Sequence, residues 1–423
     1  MAILILLISL LPVFFYNLGA SSLVNWDEAW YAEVAKQLLT SGNLLVMKFN
    51  QQIFTDHPPS GFWLIATGQQ LFGINEFGSR VMSAVFGLLG VLGIYLLGKE
   101  LFGKVVGFCS AFALATAPWY LFRSRSGDLD IFLTVFMIWT VYFSVKKYFW
   151  RTTISLSWLL LIKTAAPFVI IPILVLLWKK KVVKLLIIPL TIYIAWISAN
   201  VVDSSTFFTK YLFVGLPGVG QKTSLLANLL QIKVFVHHGI GNWFRYSVFA
   251  LVISTFLIRQ KRFLIPVVAT AFILTPMLFS DRARLWHMIP AYPFLLLALF
   301  AVVRKTGVII TLLFTLFIST PMLQRNWYEI VDKPTYVTDE AILSKKASAY
   351  KERLYIGENF VPAAAFYSNK QIERMYGTID ELYAHADANF LLIADKEKFS
   401  ISSLNYEFIA KDRDKLLVRF KKF

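Results

Sequence analysis

Eleven apolar runs dominate the chain up to about residue 323: 3–19, 80–98, 105–121, 129–145, 152–163, 166–178, 182–199, 243–258, 263–279, 288–303 and 307–322. A bilayer crossing takes about 20 apolar residues, and several of these runs are short against that length. So many in succession nevertheless leave the hydrocarbon layer as the only solvent in which the chain can fold. With 57% hydrophobic residues and 38 Phe among 423, it cannot close around them as a water-soluble globule. The sequence therefore predicts a mainly α protein, a polytopic transmembrane helical bundle of about eleven spans.

The formal charge of +17 raises nucleic acid as a partner. Most Lys and Arg flank apolar runs instead of forming a patch interleaved with aromatic residues, which excludes that class and assigns the charge to topology and lipid headgroups. The single cysteine, Cys109, sits inside an apolar run, so an intramolecular disulfide is excluded.

The basic residues also orient the chain. Lys99 and Lys104, Lys146, Lys147 and Arg151, Lys179 to Lys181 with Lys184, Arg259, Lys261 and Arg262, and Arg304 with Lys305 fall on one face. By the positive-inside rule that face is cytoplasmic. Runs 152–163 and 166–178 then form a hairpin with its tip at Lys163–Pro167 on the opposite side. That side also receives the 20–79 loop, Arg123–Asp128, a 200–241 loop, Ser280–Trp286 and everything after about residue 323. The first run lacks a basic leader and a small-residue cleavage site, so it is expected to remain as the first helix.

From Gln324 onward the composition turns polar. Residues 353–357, 390–394 and 415–420 read as strands and 379–386 as a helix, which predicts a small non-cytoplasmic α/β domain over 324–423 beside a membrane domain over 1–323.

Asp27 and Glu28 open WDEAWYAEVAKQLL, where Trp26, Trp30, Val34, Leu38 and Leu39 recur at helical spacing while Glu33, Lys36 and Gln37 lie off the stripe. This predicts an amphipathic helix lying in the interface, with the acidic pair at its start either capping it or doing chemistry. A second acidic cluster, Arg123 to Asp130, precedes an apolar helix. Asp128 and Asp130 again read either as an N-cap or as reactive carboxylates. Two carboxylates from separate loops on one face are what an interfacial transferase needs, one as base and one to orient the acceptor, the base or a metal.

The cations on that face are few: Lys163, Arg80, Arg123, Arg125, Arg245, Arg282 and Arg284. Lys163 interrupts an apolar run and needs a partner or an anion, and the Arg282/Arg284 turn could grip a phosphate bidentately. Snorkelling to headgroups is the competing account of each. Asp56, His57 and His238 are candidate substrate or divalent-metal ligands, although His237 and His238 are adjacent, which is poor geometry for a shared site.

These residues resemble the polyprenyl-phosphate-dependent membrane glycosyltransferases of the GT-C class, which include protein O-mannosyltransferases and bacterial aminoarabinose transferases. The resemblance covers about residues 20–300. It is carried by Asp27-Glu28 with Tyr31-Ala32, Pro58-Pro59 with Trp63, Leu71-Phe72-Gly73 followed by Arg80, Leu101-Phe102-Gly103, Arg125 with Asp130, Leu133 and Phe136, Lys163 with Pro167, and Arg282 with Pro290 and Pro293. It implies a first-loop acid matching Asp27, a second acid matching Asp130, and a phosphate-contacting cation matching Lys163. His57 stands where the family carries a Lys before Pro-Pro, and Ala165 where a Gly is usual. The expected partners are a polyprenyl-phosphate-linked sugar donor, a lipid, glycan or protein acceptor, and membrane lipids. The expected place is the cell (inner) membrane of a bacterium or archaeon, with chemistry on the non-cytoplasmic face. Asp27, Asp130 and Glu28 are the expected catalytic residues, and Lys163, Arg282, Arg284 and Arg80 the expected phosphate ligands. The rivals are a transporter or flippase of anionic lipid, which would place charges near the bilayer midplane, and a non-catalytic lipid-binding scaffold.

Overall fold

A computed structural model describes residues 1–203, 224–280, 283–332, 338–357, 362–401 and 404–422. The chain is mainly helical. Five helical stretches are long and apolar enough to cross a membrane: Glu76–Phe102, Ala166–Val201, Lys261–Leu278, Leu285–Thr306 and Val308–Asp332. Lys104–Thr116 and Pro118–Ser124, bent by 70°, make a sixth if they act as one span. Ala2–Phe15, Leu129–Val145, Leu225–Ile240 and Trp243–Phe256 are apolar but shorter. By length and composition this gives a multi-pass membrane protein with five or six clear spans against the eleven expected. The difference lies in the shorter helices, in Phe149–Leu160, a 12-residue helix at expected run 152–163 that is not among these apolar helices, and in Ala166–Val201, which holds two of the expected runs. There Lys179, at φ 51°, and the 3-10 turn Lys179–Lys181 interrupt the helix where the sequence predicts a basic turn.

Glu76–Phe102 is the spine. Its start is set by Asn75, whose side chain accepts from Gly78 N at 2.8 Å. Small residues let its neighbours approach closely. A Cβ on Gly98 would lie 2.8 Å from the Cα of Gly107 in the next helix, and one on Gly90 would overlap the Tyr120 hydroxyl.

Two sequence expectations fail here. The 200–241 stretch is not all loop: its described part contains Leu225–Ile240, started by Ser224 accepting from Ala227 N. Asp27–Ser41 is a helix as expected, but its polar face is not open to water. Glu33 and Lys36 are buried, ion-paired at 2.8 Å, and Lys36 also donates to Phe366 O at 2.9 Å. The helix is clasped between the membrane domain and the C-terminal region, while Trp26, expected to sit on the apolar stripe, is exposed.

The C-terminal region forms a five-stranded sheet in the order Ile372–Arg374, Arg353–Ile356, Phe390–Asp395, Lys415–Phe420 and Glu407–Asp412. The first three strands are parallel and the rest antiparallel. Period-two alternation divides its side chains. Leu354, Ile356, Leu391, Ile393 and Leu417 join the core shared with the membrane helices, whereas Phe390, Leu392, Val418 and Phe420 close a second core with Met375 and Ile379. Strands 353–357, 390–394 and 415–420 and helix 379–386 fall where expected to within a residue or two. The two outer strands were not foreseen.

Candidate functional site

The site is assembled around the Glu28–Arg80 pair. Arg80 donates from Nε and Nη2 to the two Glu28 carboxylate oxygens at 2.7 and 3.0 Å, and from Nη1 and Nη2 to the carbonyls of Leu18, Ser21 and Ser22. Glu28 also accepts from Val24 N at 2.7 Å and Gly127 N at 3.0 Å. Burial raises the Glu28 carboxyl, and Arg80 with the two amides more than offsets it, holding it below the usual range. Every oxygen of this carboxylate is occupied, so Glu28 fixes the first loop against residue 127. Gly127 is needed there because a Cβ would approach Ser79 O to 2.8 Å.

That contact delivers the second acidic cluster. Asp128 caps Leu129–Val145, accepting from Asp130 N at 3.0 Å, and its other oxygen pairs with Arg123. Burial, and after it the neighbouring Asp130, push the Asp128 carboxyl up to about 6 against the pull of Arg123 and Lys163. The Arg123 guanidinium lies 4.8 Å from the ring centre of Trp286 and 5.5 Å from that of Trp119. Asp130 is 1% exposed; its Oδ1 accepts from Lys163 Nζ at 2.6 Å, while Oδ2 has no hydrogen-bond partner among the described residues.

Lys163 reaches this place because the Pro58-Pro59 loop is tied beneath it. Ser60 N donates to Leu161 O at 2.9 Å and Ser60 Oγ to Trp158 O at 3.0 Å. The same tie brings in His57, whose ring sits edge-on to Tyr31 at 5.9 Å and whose Nδ1 is buried without a described partner. Burial, then Lys163 and His287, hold the His57 imidazole well below its ordinary pKa and keep it neutral.

Asp27 opens the Asp27–Ser41 helix, half-buried, within electrostatic reach of Asp128, Lys163 and Arg123. Burial and then Asp128 raise its carboxyl; Lys163 and Arg123 oppose the shift. Trp26, just before it, holds φ at 78°, a conformation that costs a non-glycine residue of order 1–3 kcal/mol and tends to occur at functional sites.

Asp27, Asp130, Lys163 and His57 are thus brought together, with Asp128 and Arg123, and Glu28 and Arg80 form the frame beneath them. Arg284 is exposed at the start of the Leu285–Ala291 turn, where its backbone N donates to His287 Nδ1 at 3.2 Å. Arg282 lies outside the described residues. Arg125 ties Ala2–Phe15 down through Val13 O and Tyr16 O. His238 is exposed in the last turn of its helix with Nδ1 at Val234 O, and Asp56 is half-buried beside His57. Among the described residues no group of three His, Cys, Asp or Glu side chains is placed to hold a metal ion together. Sequence reasoning passed over Tyr31 as a site group and missed His287. Tyr31, one helical turn beyond Asp27, could have been found from that spacing, whereas His287 becomes visible only through the packing of its turn.

Arg80→Leu tests the framing role. Leaving Glu28 buried without its cation should destabilise the protein by about 3–5 kcal/mol, read as a lowered unfolding midpoint in detergent. A loss of donor binding with unchanged stability would instead return Arg80 to the phosphate site.

Comparison with known proteins bears on the family and the fold. Residues 56–203 match the model of the dolichyl-phosphate-mannose-protein mannosyltransferase family. An uncharacterized protein of Aquifex aeolicus is 32% identical over 175 residues, 40% of this chain and 35% of its own. The undecaprenyl phosphate-alpha-4-amino-4-deoxy-L-arabinose arabinosyl transferase of Pseudomonas savastanoi pv. phaseolicola is 35% identical over 136 residues, 32% of this chain and 24% of its own. These matches therefore span about a third or less of the relatives' length. The fold of ArnT from Cupriavidus metallidurans, solved bound to undecaprenyl phosphate, superposes with a TM-score of 0.78 at 15% identity, covering 98% of this chain and 97% of that one. The oligosaccharyltransferase of Archaeoglobus fulgidus superposes with a TM-score of 0.58 at 13% identity, over 88% of this chain and 62% of the other. The chain has the fold of GT-C membrane glycosyltransferases, and its resemblance to that family holds in family model, relatives and architecture alike.

Proposed function

We propose that this protein transfers a sugar from a polyprenyl-phosphate donor to an acceptor on the non-cytoplasmic side of the membrane. The observation that carries this reading is the convergence of Asp27 from one loop and Asp128 and Asp130 from another onto Lys163 and Arg123, with a buried Asp130 oxygen and the His57 Nδ1 unbonded among the described residues. The names of the relatives support a 4-amino-4-deoxy-L-arabinose-like sugar on undecaprenyl phosphate, and the acceptor is a lipid, a glycan or a protein.

The acceptor oxygen attacks the anomeric carbon in line as the bond from that carbon to the phosphate oxygen breaks, so the configuration inverts. A hydroxyl acceptor gives its proton to Asp27; a phosphate acceptor needs no base, and Asp27 then orients it. Lys163 spends one of its three N–H donors on Asp130 and keeps two for the departing phosphate. Arg284 would add charge from the neighbouring turn, and neutral His57 can donate one hydrogen bond without adding charge. Glu28 and Arg80 hold the two loops in register and do not contact the donor. In this reading the chain crosses the membrane about eleven times in a bacterial or archaeal inner membrane, with the site and residues 324–423 outside.

The sidedness can be checked by cysteine labelling in a Cys109→Ser background. Ala165→Cys is expected to react only from the non-cytoplasmic face and Lys180→Cys only from the cytoplasm; the reverse would overturn the orientation. Mass analysis of membrane lipids and envelope glycans from cells with and without the gene should show a sugar missing from one acceptor class. Identical profiles would count against transfer.

A further inference from the structure

We propose that the C-terminal region is a working part of the catalytic centre, with Tyr367 and Asn25 as positioning residues that fix the backbone leading into Asp27. The inference rests on the reading of Asp27 as the group that meets the acceptor. It assigns a task to the described part of residues 324–423.

Four consecutive residues before the strained Trp26 are each anchored. Ser22 O accepts from Arg80 at 2.9 Å and Ser22 Oγ from Thr338 N at 3.0 Å. Leu23 N donates to the Tyr367 hydroxyl at 2.7 Å. Val24 N donates to Glu28. Asn25 Oδ1 accepts from Ala363 N at 3.1 Å. Two of these anchors come from the membrane domain and three from beyond residue 337, so the segment is gripped from both sides.

Tyr367 is the keystone. Its hydroxyl accepts from Leu23 N and donates to Glu76 Oε1 at 2.9 Å, and Glu76, the first residue of the spine helix, also pairs with Lys345 at 3.0 Å. One turn along that helix stands Arg80, which holds Glu28 and through it Gly127 and the second acidic cluster. A single hydroxyl therefore ties the Asp27 segment to the helix that indexes Asp128 and Asp130. Leu23 is fully buried. Removing the hydroxyl strands its N–H, and the cheapest relief is a shift of the segment toward solvent. Because catalytic groups need placement to within about 0.5 Å, such a shift should be felt in turnover before it is felt in donor binding.

The test uses the full-length protein in lipid vesicles with a synthetic polyprenyl-phosphate sugar. Tyr367→Phe is expected to lower kcat by about tenfold or more while photo-crosslinking of the donor stays within about twofold, since Lys163 is untouched. The acidic limb of the pH profile should also move toward the ordinary carboxylate range, because a displaced Asp27 is better hydrated and farther from Asp128. Asn25→Ala, which leaves Tyr367 in place, provides a milder second variant and should shift both readouts the same way. Arg353→Ala, at an exposed pair with Glu373 on the same region's sheet, should leave kcat unchanged. If Asp27→Asn abolishes transfer while Tyr367→Phe and Asn25→Ala keep wild-type kcat and pH profile, this inference fails alone. If both lose donor crosslinking and kcat in equal proportion, the contacts are merely structural and the inference also fails. Should Asp27→Asn remain active, the reading of Asp27 itself is what falls.

Discussion

Asp27→Asn should lower sugar transfer by about 10²-fold or more while leaving the unfolding midpoint near that of the wild type, the magnitude expected when a general base is removed. The substitution is nearly isosteric at a half-buried position that has no ion pair among the described residues, so stability and activity should separate. Glu28→Gln should behave in the opposite way, since it weakens the bonds to Arg80 and the two amides and should be read mainly as lost stability. Near-normal turnover in Asp27→Asn with loss in Glu28→Gln would reverse the assignment.

The pH dependence follows from the same groups. Burial and then Asp128 raise the Asp27 carboxyl, and Asp128 lies at about 6, so transfer should fall as pH drops through the weakly acidic range, earlier than an exposed aspartate would predict. Stability runs the other way. A carboxyl whose pKa is raised on folding favours the native state when protonated, and that contribution is present below about 3.9 and lost as pH rises through about 6 for Asp128. Activity and the Asp128 contribution to stability should therefore change in opposite directions between pH 4 and 6, which kinetics and thermal unfolding at matched pH can measure.

Lys163→Ala carries the second large effect. It leaves Asp130, 1% exposed, with an uncompensated charge, and should cost about 3–5 kcal/mol of stability as well as donor binding. The two losses can be separated. A Lys163→Ala/Asp130→Asn double variant removes the stranded charge and should recover most of the stability but none of the transfer. Lys163→Arg should recover only part of the activity, because a planar fork does not reproduce a compact ammonium between Asp130 and a phosphate. Donor photo-crosslinking that persists at wild-type level in the double variant would remove Lys163 from the donor site.

What the sequence disclosed depended on how local the physics was. The spine helix, the Asp27–Ser41 helix and three of five strands could be read because apolar periodicity and cap residues lie within a few positions of each other. Asp130 and Lys163 were singled out because an ionisable group beside an apolar run must have a partner, and they turned out to be partners at 2.6 Å. The hydrogen bonding of Glu28 was not legible. Nothing local distinguishes a catalytic carboxylate from one saturated by Arg80 and two amides, 52 and 99 residues away in the case of Arg80 and Gly127. The interfacial stripe misled for a related reason: Glu33 and Lys36 look solvent-facing by spacing, yet the chain returns more than 300 residues later and covers them.

Release of free polyprenyl phosphate, measured together with acceptor modification in vesicles containing only the purified protein, a polyprenyl-phosphate sugar and a lipid acceptor, tests the central claim most directly. The account predicts that the two products appear in equal amounts with inverted anomeric configuration, and that both vanish in Asp27→Asn and Lys163→Ala. Donor lipid that moves between leaflets intact, with no phosphate released and no acceptor modified, would contradict it and identify a flippase.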